Sequence, residues 1–460
     1  MYKKMISKSV IVQNRKQIIT ASFWVVGMFG LSQLLRLGSN LVVTRLLTPE
    51  MFGLMAIVYV VLHGVNMFSD LGFWAFIVRH KKGAEKKILD TVWTMQVVRG
   101  WFMFIIIILL AATLVFTTNF LGINLGRVYG DYNLPLLLVI VGFIAVISGY
   151  NTLASALVSR ELKRARLELI DFSSQLLGVI VMLVWAWKYP SVWALASAGV
   201  VAAIFNVMLT YKLFSYRHNI AWDPVVVKEV FTFGKWIFIA SALTYLAMQG
   251  DRLIFASYIS IAQLGVYSIA FMLVGVVANV IQQLNTKVCF PIFSRLVILT
   301  PDKLKTKYYS IRLKQDIVSF FLIGVLISIS PRLIEFLYDD RFYDAGWMMQ
   351  ILSFSLIGIV MSALGLECLS ALSITKIRMK VMYYKALSVF IGLPVLFYFY
   401  GFVGALWGVV LSSFIGIPVQ YLEMKRQGLF SFLLEIRGLP LVVVGYWSSN
   451  IMLHKIAHTF

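Results

Sequence analysis

Charged residues are scarce in this sequence, at 13% of 460 positions against 60% hydrophobic residues. A water-soluble domain of this length needs far more polar surface, so the composition excludes a soluble globular protein. Apolar runs of about 20 residues recur along the chain, and each is long enough to cross a hydrocarbon core about 30 Å thick. The sequence therefore predicts an all-α polytopic membrane protein.

Cysteine is nearly absent as well, with Cys289 and Cys368 in or beside apolar runs. No CxxC motif or histidine cluster accompanies them, which excludes a disulfide framework and a metal site of these ligands. We expect both to be small core residues. The sequence also lacks a GxxxxGK[ST] loop, so this chain does not hydrolyse ATP. We expect no cofactor, and a coupling proton or sodium ion is left open.

Acidic residues number 20 against 41 basic ones, which gives a formal net charge of +21. This excess does not indicate a nucleic-acid partner, because the cations cluster between alternate apolar runs, as in cytoplasmic loops of membrane proteins. Basic clusters lie at 79–87, 159–166, 295–314 and 375–380, whereas the loop at 338–344 is net acidic. The alternation predicts a multi-pass protein in a lipid bilayer with a cytoplasmic N-terminus.

Twelve apolar runs are predicted to cross the membrane, and a last stretch at 438–457 is a candidate thirteenth span. The links near 215–233 and 295–315 are predicted to be short surface helices that begin at Pro224 and Pro301. The twelve predicted spans are 18–43, 52–78, 90–116, 132–158, 168–187, 192–214, 233–258, 263–290, 316–338, 346–371, 380–400 and 403–422.

The two halves of the chain share a weak pattern, seen in 29–58 and 233–270. Each stretch opens with Phe-Gly, continues as an apolar run that carries an arginine, and resumes at another glycine after an outer turn. Two six-helix lobes with a site between them are a common transporter plan. We predict an N-terminal lobe at 1–216, a C-terminal lobe at 217–427 and an extra transmembrane segment at 428–460.

The turn TRLLTPEMFGL at 44–54 has a simple local explanation, because Thr48 can cap the second span and Pro49 can begin it. The same turn closely resembles the signature of bacterial Wzx-type oligosaccharide flippases, in the multidrug/oligosaccharidyl-lipid/polysaccharide exporter superfamily. Further stretches agree in order: FSDLGFWAFIVR (68–79), DTVWTMQVVRG (90–100), RELKRARLELIDFSSQ (160–175), FGKWIFIASALTYLAMQGDRLI (233–254), LGVYSIAFMLV (264–274) and FPIFSRL (290–296). The resemblance is close through these stretches and looser beyond them.

This resemblance implies two helical bundles that form a V-shaped cavity with alternating access. It implies a substrate of oligosaccharide linked to undecaprenyl diphosphate, moved from the cytoplasmic to the outer leaflet of a bacterial inner membrane for cell-surface polysaccharide biosynthesis. A polysaccharide polymerase and glycosyltransferases are then expected partners. An odd number of spans departs from the family's usual pattern.

Two arginines lie deep in predicted spans, Arg36 in the first and Arg252 in the seventh. An arginine at the bilayer centre costs about 2.5–3.5 kcal/mol on insertion scales, so each is expected to face protein or a wet cavity. A guanidinium group binds phosphate bidentately and stays charged, which suits a lipid diphosphate. We predict that both bind the diphosphate. The alternative is an internal ion pair, such as Arg252 with Asp251.

Other polar residues in the predicted spans have weaker assignments. Arg99 and Lys287 are candidates to meet the diphosphate on entry, or to extend their side chains to the membrane surface. Asp251, Glu367 and Asp70 are assigned to ion coupling or to structural pairing, since an embedded carboxylate can take up a proton. Four amide residues are assigned to sugar contacts or to bonds between helices: Asn279, Gln282, Gln283 and Asn285.

The leading hypothesis is thus a transporter of the flippase type and not an enzyme. A multidrug cation antiporter of the same superfamily is the nearest alternative, but its cationic substrates favour carboxylates in the cavity, and here arginines are in excess. A membrane-embedded glycosyltransferase or polysaccharide polymerase needs catalytic groups on a substantial loop. The external loops are short and contain no paired carboxylates or DxD motif, so this hypothesis is the least favoured.

Overall fold

A computed structural model describes residues 27–457, apart from 29, 69–70, 81, 123–125, 154, 158–164, 215 and 299. These described residues form α-helices joined by short links and contain no β-strand. Nine of their helices are long and apolar enough to cross a membrane. The prediction of an all-α polytopic membrane protein is therefore confirmed.

The helices are numbered here in chain order, with one π-helical turn at Asn285–Cys289. They are α1 (30–46), α2 (Pro49–Phe68), α3 (Phe73–Arg79), α4 (Lys86–Asn119), α5 (Leu134–Gly149), α6 (Ala165–Lys188), α7 (Val192–Leu213), α8 (Pro224–Tyr258), α9 (Ile261–Leu284), α10 (Phe290–Leu296), α11 (Pro301–Leu337), α12 (Ala345–Ser353), α13 (Ser355–Ala371), α14 (Lys376–Ile415), α15 (Ile417–Arg426), α16 (Phe432–Ile436) and α17 (Pro440–Ala457).

The two links near 215–233 and 295–315 are continuous with the membrane-spanning helices that follow them. The sequence predicts short surface helices there, but α8 continues for 35 residues and α11 for 37 residues. That prediction is wrong because neither helix carries a proline between its link and its span, so the backbone hydrogen bonds continue. The predicted starting points at Pro224 and Pro301 are confirmed, and the backbone N–H of Val225 donates to Asp223 Oδ1 over 2.8 Å.

The eleventh and twelfth predicted spans meet in a hairpin within α14. Gly401 makes the turn with φ 61° and ψ −153°, a conformation that glycine adopts far more readily than other residues. After the turn, a Cβ atom on Gly404 would lie 2.4 Å from the carbonyl oxygen of Leu396. The absence of a side chain at Gly404 therefore allows the two arms to pack closely.

The first of two compact units comprises the described residues up to Leu47, together with Ile57–Leu125 and Tyr129–Ala242. In this unit α4 packs along α5, α6 packs along α7, and α5 contacts α7. A Cβ atom on Gly100 would lie 2.7 Å from the Ala145 carbonyl oxygen, so glycine is needed where α4 meets α5. The unit is thus built from closely packed apolar helices.

The second unit comprises Thr48–Ala56, Gly126–Val128 and the described residues from Leu243 onward. The candidate thirteenth span forms α17, which packs along α11. A Cβ atom on Gly324 would lie 2.0 Å from the Val442 carbonyl oxygen, which shows how closely these two helices approach. The last apolar stretch is therefore an integral helix of this unit.

The units divide inside α8, between Ala242 and Leu243. This division lies later in the chain than the predicted end of the N-terminal lobe at residue 216. The predicted lobes at 1–216 and 217–427, and the extra segment at 428–460, stay predictions about functional domains.

Candidate functional site

Arg36 is exposed on α1. Its carbonyl oxygen accepts a hydrogen bond from the Ser39 hydroxyl over 3.1 Å, and its guanidinium has no carboxylate within 4.0 Å in the part of the chain that the structure describes. A Cβ atom on the nearby Gly38 would meet open space. Among the described residues, the Arg36 charge is therefore not neutralised by a carboxylate.

Arg252 lies half-buried on α8 and is held by two uncharged groups. Its Nη1 donates to the side-chain oxygen of Gln249 over 2.9 Å, and its guanidinium carbon lies 4.4 Å from the ring centroid of Phe271 on α9. Its Nε is buried and has no hydrogen-bond partner in the part of the chain that the structure describes. A cation over an aromatic ring is stabilised but keeps its charge. These contacts fix the position of the Arg252 guanidinium. Some of its N–H groups have no hydrogen-bond partner among the described residues.

Asp251 does not pair with its neighbour Arg252. Its carboxylate is 4% exposed and accepts a hydrogen bond from the Tyr267 hydroxyl on α9. Successive residues on an α-helix point about 100° apart, which directs the two side chains to different neighbours. The alternative of an Asp251–Arg252 ion pair therefore has no support in the described residues.

Arg99 contacts the end of α2. Its Nη2 donates to the carbonyl oxygen of Asn66 over 3.0 Å, and its guanidinium carbon lies 5.8 Å from the ring centroid of Phe73. The last carbonyl groups of a helix lack partners within the helix, so a cation there is stabilising. This geometry gives Arg99 a structural contact that the sequence pattern did not indicate.

Lys287 lies exposed in the π-helical turn that joins α9 to α10. Asn285, in the same turn, is fully buried, and its amide donates to the carbonyl oxygen of Ile281 over 2.9 Å. Asn285 is therefore bonded to its own helix. Of the other amide residues, Asn279 and Gln282 are exposed and Gln283 is half-buried.

Glu367 on α13 is buried and already neutralised. Arg378 Nη2 lies 3.1 Å from its Oε1, and the Thr286 hydroxyl donates to the same oxygen over 3.1 Å. The structure therefore shows a pairing contact for this carboxylate, which joins α13 to α14 and to the π-helical turn. Asp70, the remaining predicted acid, lies outside the described residues.

A cavity of about 90 Å³ lies within the second unit and brings together polar residues of three helices. Gln282 of α9 is the one predicted site residue among them. Arg378 and Lys385 of α14 also line it, and neither is among the residues predicted from the sequence. The signal was present for Lys385, a charge inside the predicted span 380–400. The remaining polar lining consists of Ser362, Ser412 and Ser413.

A second group that the sequence analysis missed is a buried ionic cluster on α11 and α16. Arg312 is 1% exposed; its Nη1 lies 2.8 Å from Glu435 Oε2 and its Nε lies 3.4 Å from Asp316 Oδ2. Burial raises the pKa of Glu435, while the Arg312 charge opposes that rise. The i, i+4 spacing of Arg312 and Asp316 was a readable signal, but the pairing with Glu435 depends on tertiary structure.

A third missed group centres on His218, whose side chain is enclosed in the first unit. Its Nδ1 lies 3.5 Å from Asp90 Oδ1, its Nε2 lies 3.0 Å from the Thr152 hydroxyl, and the ring stacks on Trp93. Burial lowers the pKa of His218, although Asp90 opposes this. The ring is therefore neutral with its proton on Nδ1, because Nε2 accepts the backbone N–H of Leu153 over 3.2 Å.

The Asp90, His218 and Thr152 side chains imitate a catalytic triad of acid, base and hydroxyl. However, the lone pair on His218 Nε2 already accepts the Leu153 N–H, and Thr152 is 2% exposed. The base is occupied and the hydroxyl cannot reach a substrate. This group therefore anchors the segment before α8 and does not favour an enzyme.

Comparisons with known proteins agree with the motif pattern. The model of a family described as "Polysaccharide biosynthesis protein" matches residues 42–347. The lipopolysaccharide biosynthesis protein WzxC of Escherichia coli K12 is 22% identical over 424 residues, which cover 88% of this chain and 82% of WzxC. The teichuronic acid biosynthesis protein TuaB of Bacillus subtilis 168 is 19% identical over 290 residues, covering 62% of this chain and 56% of TuaB.

Two solved structures share the fold. The lipid II flippase MurJ in an inward closed conformation aligns with a TM-score of 0.67 at 13% identity, covering 95% of this chain and 99% of MurJ. An inward-facing multidrug resistance MATE family transporter of the MOP superfamily aligns with a TM-score of 0.62 at 14% identity, covering 93% of this chain and 96% of that one. At these identities the alignments show a common fold.

Proposed function

Since the chain belongs to the polysaccharide biosynthesis protein family, whose model matches residues 42–347, we propose that it flips oligosaccharide linked to undecaprenyl diphosphate. The lipid moves from the cytoplasmic to the outer leaflet of a bacterial inner membrane by alternating access, and the N-terminus is cytoplasmic. The related WzxC and TuaB are named for lipopolysaccharide and teichuronic acid biosynthesis. Both names agree with a role in supplying cell-surface polysaccharide.

The proposal depends on which charged side chains of the predicted spans have no partner of opposite charge among the described residues. Among the described residues, Arg36 has no carboxylate partner, and Arg252 is held by an amide and an aromatic ring. Glu367, by contrast, is neutralised by Arg378. Open guanidinium groups favour an anionic substrate such as a diphosphate. A cation antiporter would need the reverse, with open carboxylates.

We assign Arg36 and Arg252 each as a diphosphate contact. Lys287, exposed in its π-helical turn, is assigned as a contact during entry, because such turns often occur at functional sites. Arg99 keeps a secondary assignment, since Asn66 and Phe73 already hold its guanidinium.

The test is a leaflet-accessibility assay with the full chain in liposomes. A fluorescent undecaprenyl-diphosphate oligosaccharide is loaded, and its exposure to an external quencher is followed over time. We expect the protein to accelerate exposure, and Arg36→Ala and Arg252→Ala to slow it about tenfold. Arg426→Ala is the matched control, because that exposed arginine pairs with Glu423 on the same helix.

Each outcome is decisive for one part of the proposal. Failure of the unaltered protein to move any such lipid would overturn the flippase function. Equal rates for the unaltered protein and Arg36→Ala would remove Arg36 from the mechanism and leave the function in place.

A further inference from the structure

The cavity of about 90 Å³ in the second unit is lined by neither Arg36 nor Arg252, the two residues assigned to the diphosphate. It is lined from α8, α9, α13, α14 and α15, all within the same unit. We call it the Lys385 pocket, after the residue whose environment is most unusual. Its polar lining further includes Gln282, Arg378 and three serines.

Among the described residues, no oxygen atom accepts a hydrogen bond from the basic side chain of Lys385. The structure gives its Nζ one contact, the Met248 Sδ at 3.9 Å, and thioether sulfur is a weak acceptor. No carboxylate lies within 4.0 Å of the Lys385 Nζ in the described part of the chain. An ammonium has three donors and is strongly hydrated. Inside a membrane-spanning helix it therefore needs acceptors that the described residues do not supply.

Arg378 adds a second cation to the same lining. It precedes Lys385 by two turns of α14, so both side chains lie on one face of the helix. Its Nη2 contacts Glu367 and Ser370, which leaves Nε and Nη1 as further donors. One carboxylate, Glu367, offsets Arg378, and no described carboxylate contacts Lys385. Among the described residues, one carboxylate therefore lies within ion-pair distance of these two basic side chains.

The size of the pocket limits its ligand. A cavity needs roughly 10–15 Å³ to hold one water molecule. The volume of about 90 Å³ therefore admits several water molecules or one small chemical group. A phosphate or a carboxylate fits this limit, whereas an oligosaccharide does not. The side-chain amide of Gln282 adds a neutral hydrogen-bond donor beside the two cations. The serine hydroxyls of the lining already donate to carbonyl oxygens of their own helices.

We propose that the Lys385 pocket binds one anionic oxygen group of the transported lipid, either a phosphate of the carrier or the carboxylate of an acidic sugar. The inference rests on the proposed flippase function and adds a selectivity element to it. Lys385 supplies the charge, and the side-chain amide of Gln282 orients the group by a hydrogen bond. The rest of the sugar chain and the lipid tail lie outside the pocket.

The experiment compares two undecaprenyl-diphosphate lipids that differ in one sugar, a neutral hexose or the matching uronic acid. Transport of each by the full chain in liposomes is measured for the unaltered protein, Lys385→Met, Lys385→Arg and Gln282→Leu. Lys380→Met is the control, since Lys380 is exposed on the same helix. We expect Lys385→Met to slow transport about tenfold, Gln282→Leu to slow it less, and Lys385→Arg and Lys380→Met to stay near the unaltered rate.

The two sources of the anionic group give different patterns. Equal loss for both lipids in Lys385→Met identifies a carrier phosphate, and loss confined to the uronic-acid lipid identifies the sugar carboxylate. Unchanged transport of both lipids by Lys385→Met overturns the pocket. If Lys385→Met does not fold, unchanged transport of both lipids by Gln282→Leu overturns it instead. Failure of the unaltered protein to transport either lipid refutes the proposed function, so the two failures are distinct.

Discussion

Arg312 and Glu435 form an enclosed ion pair, with Arg312 Nη1 2.8 Å from Glu435 Oε2. The Tyr309 hydroxyl donates to the other oxygen, Oε1, over 3.1 Å, and the Arg312 Nη2 donates to the backbone carbonyl of Glu435 over 3.2 Å. The pair therefore fixes the short helix α16 against α11. Removing one partner of such a pair leaves a buried charge uncompensated.

We predict that Glu435→Ala lowers the free energy of unfolding by about 3–5 kcal/mol. Replacing both partners, with Arg312→Met and Glu435→Leu, is expected to recover most of that loss because no charge is then stranded. Unfolding in detergent, followed by tryptophan fluorescence, gives the values. Glu423→Ala is the control, since its partner Arg426 is exposed. Equal, small losses for Glu435→Ala and Glu423→Ala would contradict the prediction.

His218 makes stability depend on pH. Burial lowers its pKa below the ordinary value of 6.5, so the unfolded chain binds a proton more readily than the folded one. The stabilisation is complete above about pH 6.5 and is lost as the pH falls toward the folded-state pKa. We expect the unaltered protein to lose more thermal stability than His218→Gln between about pH 7.5 and about pH 5.5. Identical losses in the unaltered protein and His218→Gln would refute this prediction.

Two glycines of α9 are expected to respond oppositely to the same substitution. A Cβ on Gly265 would lie 1.8 Å from the Pro49 carbonyl oxygen, whereas one on Gly275 would meet open space. We therefore predict that Gly265→Ala forces α2 and α9 apart and lowers the melting temperature. Gly275→Ala should be neutral or stabilising, by up to about 1 kcal/mol from helix propensity. Thermal unfolding of both variants, made side by side, decides the matter, and equal tolerance of both would contradict the geometry.

The sequence leaves two roles for Glu367, ion coupling and structural pairing. Its contact with Arg378 favours structural pairing. We predict that Glu367→Gln lowers stability by about 1–3 kcal/mol. We also predict that it leaves the response of transport to an imposed proton or sodium gradient unchanged. Thr286→Val is the control, because it removes the neutral hydrogen bond to the same oxygen. Loss of the gradient response in Glu367→Gln alone would assign the carboxylate to coupling.

Much of the fold is predictable from the sequence because a membrane span is defined by its apolar length, a local property. The motif resemblance to Wzx-type flippases is confirmed by the family match. The failures have a common physical cause. Whether the links before α8 and α11 are separate depends on helix continuity, which hydropathy does not report. The partners of Glu435 and His218 lie far away in the chain, so only the tertiary structure brings them together.

The candidate site divides in the same way between what the sequence indicates and what only the structure shows. Arg36 and Arg252 stand out because a charge in an apolar run is visible without a structure. The Phe271 ring over Arg252 and the Asn66 carbonyl on Arg99 are not visible there, since each comes from another helix. Lys385 lies in a predicted span but received no role there. Only the packing shows that it has no oxygen partner within the described part of the chain.

The π-helical turn at Asn285–Cys289 determines where this helix can tolerate the deletion of one residue. Such a turn holds one residue more than a turn of α-helix, so removing one residue there restores regular winding and leaves the direction of every later side chain unchanged. The same removal inside α9 would swing every later side chain by about 100° and pull Phe293 out of the core in which it is buried. This short segment is therefore where the helix can shorten by one position and keep its buried face.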